Sequence, residues 1–469
     1  MNEVKEVIWS ERNLLHLKDI ILNHKNLDLI PNGFNPDIYK KLKLETREFL
    51  SRKFNIDFTV KPIIANGHQP ELQHPGILFK DLLVHRIAAV TDSLPLHIVV
   101  DTDQFEMTYT YPEKVGDGYA HLKTLHLKDA ANRIYLHRPL TQAEKEELVS
   151  ILNSQKQEAK SFVAKEQFES LEKILDRKIE LLKTNDFLHE INEIIRSEFY
   201  TSRNIQIHTI NVSELVNLNS FKALVNTIRE NLDAFMQVYN NSLAEYRKEH
   251  KIKNHAQPIP NLISGEMPFW ILDPNTNKRN VMKLDDSLDH GVILPKAVTL
   301  TMFMRLFIAD FFIHGKGGGR YEEVSEHIIK DFFKIEAAPY EVASATMNLN
   351  HTNQFKIPTI EEKDLDAKLR DIVYSPDKFL EPSHPLVLQK KELQSKFKNP
   401  DSDKKELHKS ISSINEELSK LILPEKEKLE QLKQDFPLLQ HTNQVFQSRT
   451  MPFYYYYIDE LIKYVQNYT

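Results

Sequence analysis

Two short apolar runs with a helical segment between them constrain the fold more than any other part of this chain. Residues 61–66 and 94–100 have the length of buried strands, and residues 77–89 have the apolar spacing of a helix. Strand, helix and strand within about forty residues have the size of a βαβ unit. We therefore predict an α/β fold with a parallel sheet, and ligand-binding groups beyond the carboxyl ends of its strands.

The loop between the first run and the helix is rich in polar side chains. It contains His68 and His74, together with Gln69 and the glycines Gly67 and Gly76. An imidazole can donate to an anion or transfer a proton near neutral pH, and a helix N-terminus adds N–H donors. We expect His68 and His74 to orient or protonate a substrate and the other three residues to contact it. The alternative is that these side chains only satisfy the loop backbone.

The second run is followed by Asp101 and Asp103, on the rim that a parallel sheet shares with the histidine loop. Either carboxylate could bind an amine or a ribose hydroxyl, or act as a base. The alternative is that they cap the turn after the strand. The spacing of these histidines and aspartates is not diagnostic of a metal site, and we assign no metal ligand.

Glycine is scarce, yet four of the 11 glycines lie in one window of five residues, at positions 315, 317, 318 and 319. The window follows an apolar run and precedes a helical pattern at residues 321–333, so N–H groups at the helix start could face a ligand. His314, Lys316 and Arg320 add groups suited to phosphate or carboxylate. We expect anion binding by His314, Lys316, Gly317, Gly318, Gly319 and Arg320. The alternative is a turn that accepts only glycine.

Charged and aromatic residues elsewhere left two choices open. Glu266, Trp270 and Arg279 flank a predicted turn, where an aromatic ring and a guanidinium can form a binding wall. A core position is the favoured interpretation of Trp270. Asp310 lies one helical turn before His314 if the helix continues, and if a strand intervenes it could form a buried ion pair with Arg305.

Composition excludes several functional classes. The formal net charge of −6 argues against nucleic-acid binding. The absence of cysteine excludes disulfides, thiolate metal sites and a cysteine nucleophile. Residues 1–28 lack the apolar core of a signal peptide, and no apolar run has the length of a membrane span. These features predict a cytoplasmic protein without membrane contact.

Changes in composition suggest four segments. Residues 1–139 and 251–360 are predicted to form the two halves of the core, residues 140–250 a helical insertion, and residues 361–469 a helical hairpin with a closing segment. The last segment carries a heptad-like apolar stripe at Leu407, Ile411, Ile414, Leu418 and Leu421. An exposed stripe favours burial against a partner, which predicts a homodimer through a coiled-coil arm. The alternative is a solvated helix pair.

Three short motifs in this chain resemble motifs of the bacillithiol-biosynthesis cysteine-adding enzymes. They read GHQPELQHPGILFK at residues 67–80, VVDTDQFE at residues 99–106 and FIHGKGGGRY at residues 312–321. The matching positions are Gly67, Gln69, Gly76, Asp101, Asp103 and the glycines between 315 and 319. The resemblance implies a Rossmann-like core with helical insertions and a dimerising C-terminal coiled coil.

The resemblance also implies a ligase- or transferase-like enzyme. It would condense a small amine- or thiol-bearing metabolite, such as cysteine, with an anionic acceptor. Its cofactor stays open, with ATP or ADP as the candidate. One alternative is a non-catalytic binding or assembly protein that keeps the fold and uses its arm. Another is a nucleotidyl- or sugar-modifying enzyme. Convergence of the two loops and the acidic pair on one cleft would favour an enzyme over the binding protein.

Overall fold

Strands and helices alternate along most of the chain, which gives a mixed α/β fold. The computed structural model describes residues 4–8, 14–26, 34–72, 74–104, 107–127, 134–273, 275–287, 291–349, 354–400 and 402–467. The strands are β1 (Val4–Ile8), β2 (Ile63–His68), β3 (Leu94–Val99), β4 (Met107–Val115), β5 (Tyr119–Leu127), β6 (His208–Asn211), β7 (Glu266–Leu272), β8 (Arg279–Lys283), β9 (Val292–Pro295), β10 (Phe311–His314), β11 (Tyr340–Val342) and β12 (Ser344–Met347).

The helices fall into an earlier and a later group. The earlier ones are α1 (Leu14–Asn26), α2 (Pro36–Phe54), α3 (Pro75–Thr91), α4 (Gln142–Ala159), α5 (Lys165–Leu181), α6 (Leu188–Thr201), α7 (Val212–Leu215), α8 (Asn219–Glu230) and α9 (Leu232–Glu249). The later ones are α10 (Ala297–Phe303), α11 (Gly319–Ile328), α12 (Glu362–Tyr374), α13 (Pro385–Lys396), α14 (Lys404–Leu421), α15 (Leu423–Gln447) and α16 (Ile458–Gln466). Wider π-type turns extend α10 over Met304–Ile308 and α11 over Ile329–Phe333.

The central sheet is parallel and has the strand order β11-β10-β2-β3-β6. When these five strands are numbered by their order along the chain and read across the sheet from β6 to β11, their order is 3-2-1-4-5. The direction of progress reverses between β2 and β10, which is where open α/β sheets bind ligands. The parallel sheet and the βαβ unit β2–α3–β3 are confirmed.

Contacts divide the chain into two units. The first contains residues 1–111, 123–350 and 448–469, and it holds the central sheet. It also holds the three-stranded antiparallel sheet β8-β7-β9, which confirms the predicted turn between β7 and β8. The second unit contains residues 112–122 and 351–447.

The second unit is helical and has two small apolar cores of its own. Leu365 and Ile372 of α12 pack with Leu429 and Phe436 of α15. In the other core, Val387 of α13 packs with Ile414 and Leu418 of α14. Two of the five residues of the heptad-like stripe, Ile414 and Leu418, are thus covered within the same chain, and a coiled-coil arm is not confirmed. The homodimer stays a prediction.

A buried ion pair joins α2 to the start of the central sheet. Arg47 Nη2 lies 2.6 Å from Asp310 Oδ2, and both side chains are buried. The same Oδ2 accepts a hydrogen bond of 2.8 Å from Ile63 N, while Asp310 N donates to Ile63 O. Arg305 pairs instead with Glu322, so the expected Asp310–Arg305 pair is not formed. Asp310 therefore aligns the first residue of β2 with the segment that enters β10.

The described residues contain no helix that combines the length and the apolar character needed to cross a bilayer.

Removing the charge of Asp310 should strongly destabilise the protein. The Asp310→Asn variant leaves the Arg47 guanidinium buried without a counter-ion, which should lower the free energy of unfolding by about 3–5 kcal/mol. Urea denaturation followed by circular dichroism measures this change. Asp92→Asn is the matched control, because Asp92 forms an exposed ion pair with Lys61 and should barely affect stability. Similar unfolding midpoints for both variants would contradict the assigned role of Asp310.

Candidate functional site

A cavity of about 840 Å³ lies within the first unit, at the carboxyl ends of β2, β3 and β10. This volume is within the usual range for small-molecule sites. The sheet register explains the convergence, because His68 is paired with Val99 on β3, and Asn66 with Ile313 on β10. Residues that follow these three strands therefore emerge side by side. The cavity stands at the reversal of strand order.

Most of the predicted site residues line this cavity. They are Gly67, His68, Gln69, Gly76, Asp103, His314, Lys316, Gly317 and Gly318. His74, Asp101, Gly319 and Arg320 do not line it. The two loops and one member of the acidic pair thus converge on one cleft.

His74 caps α3 and does not line the cavity, and its expected catalytic role stays a prediction. Its Nδ1 accepts a hydrogen bond of 3.0 Å from Gly76 N at the start of α3. Its Nε2 faces Met347 O at 3.3 Å, and its ring meets Tyr456 edge-on. Burial lowers the pKa of His74 to about 4, so the ring is neutral at neutral pH.

Asp101 does not line the cavity either, and the expectation that it holds a substrate stays a prediction. Its side chain is fully buried, and Oδ1 accepts a hydrogen bond of 3.0 Å from Ser213 N in α7. Burial raises the pKa of Asp101 to about 6. Asp101 thus contacts the first turn of α7, whereas the alternative interpretation had it cap the turn after its own strand.

The glycines of the glycine-rich turn differ in how much space surrounds them. A Cβ on Gly318 would lie 2.5 Å from His314 Nδ1, and one on Gly319 would lie 2.5 Å from Val342 Cγ2. Gly317 has open space, with no atom within 4 Å of a Cβ. Close packing therefore accounts for Gly318 and Gly319. Arg320 is exposed and does not line the cavity, and its expected anion contact stays a prediction.

The residues that directly precede α11, Gly315 to Gly318, line the cavity. Gly319 N donates to Gly315 O and Arg320 N donates to Gly317 O, so these two groups are occupied. Within the described part of the chain, no hydrogen bond engages the N–H groups of residues 316–318. Such groups at a helix N-terminus suit an anion.

His314 is held from below by a buried carboxylate. Its Nε2 lies 2.8 Å from Glu322 Oε1 and 3.0 Å from Thr301 Oγ1. Glu322 is fully buried and also pairs with Arg305 at 2.6 Å. Burial opposes the ionisation of Glu322, but His314 and Arg305 outweigh it and lower its pKa to about 2. This arrangement fixes the orientation of the His314 ring at the cavity rim.

Lys80 lines the cavity but is not among the predicted site residues. It lies in α3, is buried, and its Nζ donates a hydrogen bond of 2.9 Å to Gly67 O. The same Nζ lies 3.9 Å from the position that a Cβ on Gly315 would occupy. The ammonium thus lies between the ends of β2 and β10. Burial lowers the pKa of Lys80 to about 8, so most of it stays charged at neutral pH.

A polar network packs the next residue of α3 against the sheet. Asp81 Oδ1 accepts hydrogen bonds of 2.7 Å from Asn66 Nδ2 and from His97 Nδ1, and Oδ2 accepts one from the Tyr200 hydroxyl. All four side chains are buried. This network holds the first turns of α3 in place and thereby positions the neighbouring Lys80.

Asp103 connects the two loops to the antiparallel sheet. Its Oδ2 accepts a hydrogen bond of 2.9 Å from Gln69 Nε2, and its Oδ1 lies 2.9 Å from Arg279 Nη1. Arg279 in turn lies over the Trp270 ring, 4.7 Å from its centroid. Trp270 packs against the hydrophobic core and also lines the cavity, so both interpretations of this residue describe part of its position.

Two further cavity residues come from distant parts of the sequence. Lys296 pairs with Glu266 at 2.5 Å. Arg449, which follows α15, donates from Nη2 to Ser344 Oγ at 2.8 Å and approaches Gly76 at the start of α3. A lysine within the mostly apolar α3 was a usable signal for Lys80. Nothing local in the sequence could have identified Arg449.

The described ranges contain no group of three His, Asp or Glu side chains that could hold a metal ion. No protein-family model matches the chain, and no curated protein matches it either. The resemblance described above therefore stays a prediction that rests on short segments.

Alanine substitutions in the glycine-rich turn should separate packing from open space. Gly318→Ala forces the His314 ring away from Glu322 and should lower the free energy of unfolding by about 1–3 kcal/mol. Gly317→Ala is the matched control and should leave stability unchanged, because its Cβ meets no atom within 4 Å. Thermal denaturation of both variants measures the difference. Equal stability would show that His314 does not occupy the described position.

Proposed function

We propose that this cavity binds an anionic small molecule and that the protein is a ligase- or transferase-like enzyme. The reaction joins a small amine- or thiol-bearing metabolite, of which cysteine is an example, to an anionic acceptor. ATP or ADP is the candidate cofactor. The proposal includes a Rossmann-like core and divergent membership of the bacillithiol-biosynthesis cysteine-adding enzymes.

The strand order supports the Rossmann-like part of the proposal. The order 3-2-1-4-5 equals the first five positions of the Rossmann sheet. The cavity is found at the reversal point, between the ends of β2 and β10. Right-handed crossovers through helices such as α3 account for this geometry in parallel sheets.

The charge of the cavity carries the proposal. Its lining contains five cationic side chains, namely Lys80, Arg279, Lys296, Lys316 and Arg449, and two carboxylates, Asp103 and Glu266. The whole chain has the opposite sign, with a formal net charge of −6. A positive cavity in a negative protein attracts and holds anions.

The remaining polar groups suit the second substrate. Asp103 presents a carboxylate that is one-third exposed, which can receive an amine. Burial and the nearby Lys80 lower the pKa of His68 well below its ordinary value. His68 therefore acts as a neutral hydrogen-bonding group that orients a substrate, and it does not protonate one at neutral pH.

A binding or assembly protein is supported less well. That alternative depends on an exposed apolar stripe in the C-terminal helices, but Ile414 and Leu418 of the stripe are buried against α13 in the same chain. The converging loops favour an enzyme by the criterion set from the sequence.

Loss of Lys80 should remove anion binding without unfolding the protein. The Lys80→Met variant should bind ADP at least about tenfold more weakly than wild type, because it lacks the buried ammonium. Its stability at neutral pH should be equal or higher, since a buried charge is removed. Isothermal titration calorimetry with ATP, ADP and cysteine measures binding. Lys283→Met is the control, because Lys283 is exposed outside the cavity. The absence of heat from any of these ligands with wild type would sink the proposal.

Anion affinity should fall as the pH rises through about 8. The folded pKa of Lys80 is about 8, below the ordinary 10.5, so the ammonium loses its proton in this range. A bound anion stabilises the protonated form, which moves the midpoint in the complex upward. With sulfate, which does not titrate here, affinity should drop at least about fivefold between about pH 7 and about pH 9.5. Lys80→Arg keeps its charge and should flatten the profile. A flat wild-type profile would contradict the role of Lys80.

A further inference from the structure

The cavity has two walls of different chemistry, and they come from different elements. One wall belongs to the parallel sheet and contains Lys80, Lys316 and Arg449. Within the described residues, none of these three cations has a carboxylate partner at ion-pair distance. Arg449 donates hydrogen bonds to the hydroxyl groups of Thr346 and Ser344, and Lys80 donates one to a backbone carbonyl. This wall therefore carries uncompensated positive charge.

The charges of the other wall cancel. It is formed by the antiparallel sheet and the segments beside it: Arg279 of β8 pairs at 2.9 Å with Asp103, which follows β3 of the parallel sheet, and Lys296 pairs with Glu266 at 2.5 Å. Both cations also lie over the Trp270 ring, within 4.8 Å of its centroid. Cations that are already paired with carboxylates offer little to an incoming anion. An anion is therefore attracted to the parallel-sheet wall alone.

Apolar side chains cover much of the remaining surface. They come from the loop after α9, from α10 and its extension, and from β8 and β9, the two strands on either side of β7. They include Ile259, Leu262, Val281, Val298 and Met304. Val281 stands directly opposite Trp270 in the β7–β8 register, so the two side chains share one face of the sheet. Val281 is 40% exposed. An exposed valine beside a partly exposed tryptophan offers apolar contact to a ligand.

We infer that the cavity takes an amphipathic anion, whose phosphate or carboxylate group binds the parallel-sheet wall and whose apolar or aromatic body lies against Trp270 and Val281. This inference rests on the proposed anion site and adds the chemical class of the ligand. A purely polar anion of the same charge leaves the apolar surface of Trp270 and Val281 in contact with water. The apolar body gains affinity because it removes apolar surface on both sides from water.

Phenyl phosphate and inorganic phosphate test the inference, because they share the anionic group and differ in the ring. Calorimetry on the full chain should show that phenyl phosphate binds at least about tenfold more tightly than inorganic phosphate. Trp270→Ala and Val281→Asn should each reduce this preference at least about threefold while leaving the affinity for inorganic phosphate unchanged. Unchanged phosphate binding also shows that each variant is folded.

The control is Val292→Asn on β9. Val292 is 46% exposed, similar to Val281, but it does not line the cavity. It should leave the preference for phenyl phosphate unchanged. If phosphate binds and phenyl phosphate binds no more tightly, the inference is overturned and the proposed anion site stands. If neither probe binds, the proposed function fails as well.

Discussion

The site depends on how β2 is placed between β3 and β10. At the start of β2, Asp310 accepts a hydrogen bond from Ile63 N and an ion pair from Arg47, so three elements meet at one carboxylate. Parallel pairing then carries the alignment along β2 to its other end, where Gly67 and Gly315 face Lys80. Because the rise per residue is regular in a strand, an alignment made at the entry of the sheet decides which residues emerge together at its exit.

Lys80 illustrates the opposition between stability and binding. Its ammonium is buried with one carbonyl partner, and burial lowers its pKa to about 8. A charge in this position weakens the folded state, since the unfolded chain solvates it better. Arg279 and Lys296 avoid that loss by pairing with carboxylates. A cation kept without a counter-ion in a cavity is the kind of group that perturbed pKa values mark at functional sites.

Residue type and spacing predicted part of the candidate site. The parts that they could not predict depend on contacts with residues far away in the sequence. The loop after β2 and the turn before α11 were found because glycine, histidine and a following helix are local signals. A histidine that accepts a hydrogen bond from Gly76 N, as His74 does, looks the same in sequence as one that faces a ligand. The atom that requires a glycine at position 319 belongs to Val342, on another strand. Trp270 packs against the core as favoured, and only the fold shows that it also borders the cavity.

The sequence by itself determined the βαβ unit, the parallel sheet and the positions of the two loops, since apolar periodicity and glycine act over a few neighbouring residues. Only the tertiary structure decided which side chains line one cavity and what charge it has. Lys80, Lys296 and Arg449 come from α3, from the segment before α10 and from the segment after α15. Their convergence follows from strand order and helix packing. These bring together residues hundreds of positions apart, and no local pattern records that pairing.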